Sequence, residues 1–213
     1  MTIQSKQDPA TEQAEEKLKQ IKATKNKNAQ SEQLKELVKS CAAKRQWHLV
    51  TEAIEVLEDE KERNLLIADL IEDTLLNNKE IDQAKKFAKY LMPQSEIQPL
   101  VMIRIALAEN NQAQALHIAD SLPSPLSRNF ALWHIAEFYL SNKDKNKAYE
   151  IGNKMLDNVR TIYDARTRSY VLREIAIELF LAKQDKERAR EVANLIPNEE
   201  IKKQLLSKID SAK

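Results

Sequence analysis

RNLLIADLIEDTLLNNKEIDQAKKFAKYLMP, residues 63–93, and RSYVLREIAIELFLAKQDKERAREVANLIP, residues 168–197, align almost without gaps. Arg63 falls on Arg168, Ile71 on Ala176, Ala84 on Ala189 and Ala88 on Ala193, and a proline closes each stretch. RNFALWHIAEFYLSNKDKNKAYEIGNKML joins them from Arg128, with Ala136, Ala148 and Gly152 at the matching places. A fourth stretch, QPLVMIRIALAENNQAQALHIADSLP, starts at Gln98 and contributes Ala106, Ala115 and Ala119. Starts at 63, 98, 128 and 168 are spaced by 35, 30 and 40 residues, so one unit recurs with uneven length.

Inside each unit apolar residues return three and four apart, which predicts amphipathic helices. A first helix is followed by a polar linker such as NNKE or KQDK, then by a second helix carrying Ala-x-x-x-Ala. Small side chains at i and i+4 share one face and let a second helix approach closely. Each hairpin covers one side only, so neighbours must stack to complete a core. The fold class predicted is all-α, an α-solenoid of stacked antiparallel helical hairpins. Units fall near 34–60, 63–97, 98–127, 128–167 and 168–199, with a capping helix over 200–213. Pro93, Pro99, Pro123, Pro125 and Pro197 all lie between helical stretches. Residues 1–30 are polar and nearly free of large apolar side chains, so a disordered or transiently helical tail, with room for a short helix over EEKLKQI (residues 15–21), is expected there, ahead of a domain over 31–213.

Composition agrees with that class. One glycine, Gly152, in 213 residues is far below the usual share of about 7% and argues against β and most α/β folds, which need positive-φ turns. It also leaves no room for GxGxxG, Walker or GxSxG loops. The net charge of +1 supplies no bulk attraction to nucleic acid or anionic membrane. Cys41 alone cannot form an internal disulfide. With no apolar run of signal-peptide or membrane-span length, a soluble, cytoplasmic protein is expected.

At Leu132, Ile135, Ala136, Tyr139 and Ala148 the chain resembles the tetratricopeptide-like α/α solenoids, stacked hairpins with a period near 34 residues. The resemblance covers roughly residues 34–213 and is one of architecture. Ala136, Ala106, Ala176 and Ile71 stand where the family usually carries a small glycine, and the late proline comes early. It implies a right-handed superhelix and a protein-interaction scaffold, adaptor or chaperone whose first helices line a concave face. If Ala136 marks the packed position, residues six and three before it and one after it face the groove: Phe130, Trp133 and Glu137. The same offsets select Tyr170, Arg173 and Ile177; Leu100, Ile103 and Leu107; and Leu65, Ala68 and Glu72. Aromatic and arginine anchors dominate such interfaces. Burial between hairpins is the competing reading for Phe130, Leu100 and Tyr170, because large apolar side chains are mostly inside. Trp133 stands apart, since other units carry Ala68, Ile103 or Arg173 at its place.

The partner expected is another protein or a peptide, with no nucleic acid, membrane, cofactor or metal and no catalytic residues. His48, His117 and His134 lie on different units, and the His117/Asp120 pair offers too few ligands for a metal. Cys41 reads as a buried thiol, and the Lys143, Lys145, Lys147 cluster as a solvated linker. An RNA reader of one base per repeat would need regular spacing, which 35, 30 and 40 deny. Two rivals stay open: a self-associating structural repeat protein, and an enzyme in which His134, Glu137 and Arg173 converge. The polar tail is either a binding segment or a secretion address.

Overall fold

The computed structural model describes residues 8–212, and among these the chain is helical throughout with no strand. It divides into two compact units, Met1–Glu109 and Asn110–Lys213. The first holds α1 (Pro9–Lys22), α2 (Lys27–Ala43), α3 (Trp47–Val56), α4 (Glu60–Asp69), α5 (Ile81–Ala88) and α6 (Ile97–Ala108). The second holds α7 (Gln112–Ser121), α8 (Pro125–Ser141), α9 (Lys145–Val159), α10 (Ala165–Glu174), α11 (Lys186–Asn194) and α12 (Glu199–Ser211). No helix among the described residues is long and apolar enough to cross a membrane.

Helix starts follow side-chain chemistry. Asp8, Asn26, Asp59, Asn111, Ser124, Asp144, Asp164, Asp185 and Asn198 each accept a hydrogen bond from a backbone N–H in the first turn. Each satisfies one donor that the helix itself leaves unpaired. At Asp164 the bonds from Thr167 hold the carboxyl below the usual aspartate range.

One turn recurs along the chain. Arg45, Lys79, Asn110, Lys143 and Gln184 all have φ between 56° and 65°, and each directly precedes the N-cap residue of the next helix. In four of them the bonding is the same. The Lys79 N–H donates to the Leu76 carbonyl at 3.0 Å and the Glu80 N–H to Leu75 at 2.8 Å; Lys143 and Asp144 repeat this on Leu140 and Tyr139. Arg45 with Gln46, and Gln184 with Asp185, do likewise. This is a left-handed helix end whose two reverse bonds cap the last carbonyls. The shortage of glycine has therefore not removed positive-φ turns; longer side chains occupy them.

Within each unit so short a connection folds the second helix back on the first: α3 packs on α2, α5 on the π-helical end of α4, α9 on α8, and α11 on the π-helical end of α10. The small residues of the second helices take the close contact: Ala84, Ala148, Ala189 and Ala193 are completely buried, and Ala115 and Ala119 of α7 are buried too. The packed places inferred in the first helices, Ile71, Ala106, Ala136 and Ala176, are also at most 1% exposed. At Gly152 an added Cβ would stand 2.5 Å from Leu179 Cδ2 and 3.4 Å from Phe180 Cζ.

Two first helices continue as π-helix, α4 through Leu70–Leu76 and α10 through Ile175–Phe180; a single 3₁₀ turn over Leu181–Lys183 follows the second. Their length explains it. Lys79 follows Arg63 by 16 residues and Gln184 follows Arg168 by 16, whereas Lys143 follows Arg128 by 15 and α8 stays regular. A wider π turn takes up one extra residue while both ends keep their places.

The expectation of a polar tail through residue 30 needs correction. Residues 9–22 form α1, with Leu18 and Ile21 buried, and α1 packs on α2 and α3. Leu18, Ile21 and the half-buried Ala14 touch the core, a narrow apolar stripe that includes the EEKLKQI segment where a short helix had room to form. Polar contacts supplement it: Gln30 Nε2 donates to the Ile21 carbonyl at 3.0 Å, Gln46 Nε2 donates to Thr11 Oγ1 at 3.0 Å, and Lys22 pairs with Glu52 at 2.5 Å. The portion of the expected tail before residue 8 lies outside the described residues.

Two substitutions test this packing. Lys143→Gly relieves an L-residue held at φ 62° and is expected to raise stability by about 1 kcal/mol, read as a higher urea midpoint at unchanged slope. Gly152→Val drives a branched side chain into Leu179 and is expected to lower it by about 1–3 kcal/mol in the same experiment.

Candidate binding groove

The second unit contains an open groove of about 450 Å³. Its walls come from three helices. α8 supplies Leu126, Asn129, Phe130 and Trp133; α9 supplies Met155; α10 and its π-helical end supply Tyr170, Val171, Glu174, Ile175 and Glu178. Met155, Ile175 and Asn129 are buried, whereas Phe130, Leu126 and Tyr170 are 54, 50 and 40% exposed. A dry floor thus meets a mouth of large apolar rings. Such rings facing water mark a recognition surface more often than a defect.

The sequence pattern explains why these rings face outward. Phe130 and Tyr170 stand six residues before the packed Ala136 and Ala176, and Leu65 stands six before Ile71 in the first unit, 45% exposed. The adjoining position on each helix is spent differently. Asn64, Asn129 and Ser169 are buried polar residues, each accepting a hydrogen bond from the end of its hairpin. Asn64 Oδ1 takes the Met92 N–H at 3.2 Å, Ser169 Oγ the Asn198 N–H at 3.3 Å, and Asn129 Oδ1 the Asn158 Nδ2 at 2.8 Å. The preceding arginines brace the entry to two of these helices, Arg63 donating to the Leu57 carbonyl and Arg168 to Ile162 at 3.3 and 3.1 Å.

Of the residues selected from sequence, Phe130, Trp133 and Tyr170 line this one groove. Arg173 lies beside it: its guanidinium sits 5.4 Å from the Tyr170 ring centroid and pairs with Glu174 at 2.7 Å. Arg166 approaches the same ring at 6.0 Å. Glu137 is within 3.6 Å of His134 Nδ1, and the His134 ring meets Phe130 edge-on at 4.8 Å. Ile177 is half-buried and outside the lining. Leu100 and Ile103 belong to the first unit, away from this site's walls. Ile103 needs correction as a groove residue, as does Leu107, because they are 0 and 2% exposed. The helix that carries them also buries Val101, Ile105 and Ala106, and its partly exposed stripe runs through Ile97, Leu100, Arg104 and Ala108, which leaves Ile103 and Leu107 on the packed side.

Sequence reasoning missed Leu126, Asn129, Met155, Val171, Glu174, Ile175 and Glu178. Glu174 and Glu178, four residues apart, were the signal available for an acidic wall. Met155 comes from a second helix, where no offset from the packed alanine pointed.

Elsewhere the reactive residue types are dispersed. Cys41 is buried, and that burial pushes its thiol up from the ordinary value, away from the thiolate that nucleophilic work requires. Arg173 is engaged with Glu174 and Tyr170, while His134 and Glu137 pair with each other. Among the described residues no group of three or more His, Cys, Asp and Glu could hold a metal ion. Lys147 of the basic linker lies 3.7 Å from Asp144 and over the Tyr139 ring at 5.2 Å.

If Phe130 and Tyr170 are surface anchors, Phe130→Ala and Tyr170→Ala should each move stability by no more than about 0.5 kcal/mol. Ile103→Ala should cost about 2–5 kcal/mol, as for a core residue. Urea melts of the three variants check this, and a large loss at Phe130 would place it in the core. No protein-family model, curated protein or solved structure matches the chain.

Proposed function

We propose that this chain is a non-catalytic protein-interaction module, a tetratricopeptide-like solenoid of stacked hairpins acting in the cytoplasm as a scaffold, adaptor or chaperone. A peptide or helix from a partner protein seats in the groove between α8 and α10. The observation that carries this is the convergence of Phe130, Trp133 and Tyr170 on one groove with buried Met155 and Ile175 beneath them. Large rigid rings around a desolvated floor are the anchors on which protein recognition concentrates its energy. The solenoid reading is supported by the recurring left-handed turn and by the packed alanines of successive hairpins. Arg173, Glu137 and Ile177 flank the anchors and supply selection at the edge.

The test compares wild type with Trp133→Ala/Arg173→Glu as baits in lysate of the source cell, after circular dichroism shows equal helicity. A partner retained by wild type and reduced at least tenfold on the variant is expected. Equal retention by both baits moves recognition to another surface and removes the groove from this role. No retained protein, together with a mass that rises with concentration, replaces the proposal with self-association through the same rings.

A further inference from the structure

We infer that the groove between α8 and α10 takes a peptide segment in which a large apolar side chain stands next to a lysine or arginine, with a main-chain carbonyl of that segment accepting from Asn129. This rests on the reading of the groove as a peptide site. Charge carries the choice of a basic residue. Glu174 and Glu178 line the groove, and Arg173 at its edge is paired with Glu174, which leaves Glu178 as the lining carboxylate with no described cation against it. An acidic side chain at that end of the groove would face Glu178, whereas a cation beside the apolar anchor pairs with it.

Asn129 supplies an independent indication. It is 3% exposed and lines the groove, and its Nδ2 is buried without a hydrogen-bond partner. The assignment of that amide follows from its neighbours. Asn158 Nδ2 donates both to the Pro125 carbonyl at 2.6 Å and to Asn129 at 2.8 Å. The carbonyl makes the Asn158 atom a donor, so the Asn129 atom facing it is oxygen and the remaining Asn129 atom is the N–H₂. A buried donor left unpaired is costly; the Nδ2 is closed to solvent in the empty groove, so a carbonyl reaches it as the exposed Phe130 and Tyr170 side chains give way, and then recovers that loss. Peptide backbones carry a carbonyl at every residue, which fits an extended segment better than a lone hydrocarbon ligand.

Random dodecapeptides displayed on phage, panned against the full chain, test this. Enriched sequences should place Leu, Ile, Phe, Met or Trp beside Lys or Arg. A synthetic peptide of the leading sequence should lose binding to Trp133→Ala. It should bind about tenfold more weakly to Glu178→Lys and to Asn129→Asp, which keeps the acceptor for Asn158 and removes the donor. Asn129→Ser, the residue used at 169, is the second probe should the aspartate disturb folding. Peptides that depend on Trp133 but carry no basic residue, or that bind Glu178→Lys as tightly, overturn the charge assignment and leave the groove reading standing. Unchanged binding to both Asn129 variants overturns the carbonyl contact. Enrichment indifferent to Trp133→Ala, or none, overturns the groove reading and this inference together.

Discussion

Everything in this chain turns on a helix end held at positive φ. Five times among the described residues a helix stops in the left-handed conformation and the next residue is the N-cap of another helix. For an L-residue that backbone costs about 1–2 kcal/mol, and no glycine is present to relieve it. At four of these ends what compensates is the double reverse bond onto the last helical carbonyls, with an immediate side-chain cap following at Asp144 and Asp185. Because the connection is so short, the returning helix within a unit lies against its predecessor. The alanines at 84, 148 and 189 and the glycine at 152 are consequences of that geometry, and so is the inward pointing of Ile71, Ala136 and Ala176.

The groove follows from the same restriction. Once Ala136 is committed to packing, the residues six and three before it are turned off the core, and α8 can present Phe130 and Trp133 without giving up a buried contact. α10 does the same with Tyr170, and its end and the π-helical run that continues it supply Glu174, Ile175 and Glu178 to the lining. Asn129 occupies the seam between hairpin and groove. Its Oδ1 takes the bond from Asn158 at the end of the hairpin, and its Nδ2 is buried without a partner. The end of the hairpin and the lining of the groove therefore meet in a single residue.

Much of this was legible in the residues. Paired alanines, punctuating prolines and polar linkers mark the hairpins, because close packing and helix termination each demand a particular residue type. The outward places of Phe130, Trp133 and Tyr170 followed from one packed alanine and helical geometry. Three things were not legible, each for a physical reason. Of α1 only the EEKLKQI segment was legible; its start at Pro9 and its docking through bonds from Gln30 and Gln46 depend on residues distant in sequence. The outward rule fails at Ile103 because the partly exposed stripe of α6 runs through Ile97, Leu100, Arg104 and Ala108, a tertiary fact that no offset contains. The acidic wall needed residues beyond the offsets used, and Met155 needed a helix that had been assigned only to packing.

The π-helical runs bear on how hairpins of unequal length compare. An extra residue in the middle of a regular helix rotates everything after it by about 100° and would turn buried faces to water. In α4 and α10 the added length is confined to a few widened turns, so Ala84 and Ala189 remain buried exactly as Ala148 does in the shorter α8 hairpin. One residue more in a first helix is thus taken up inside the helix and not in the loop that follows. Hairpins of unequal length keep the same buried alanines, and a count of residues along the chain understates how alike they are in space.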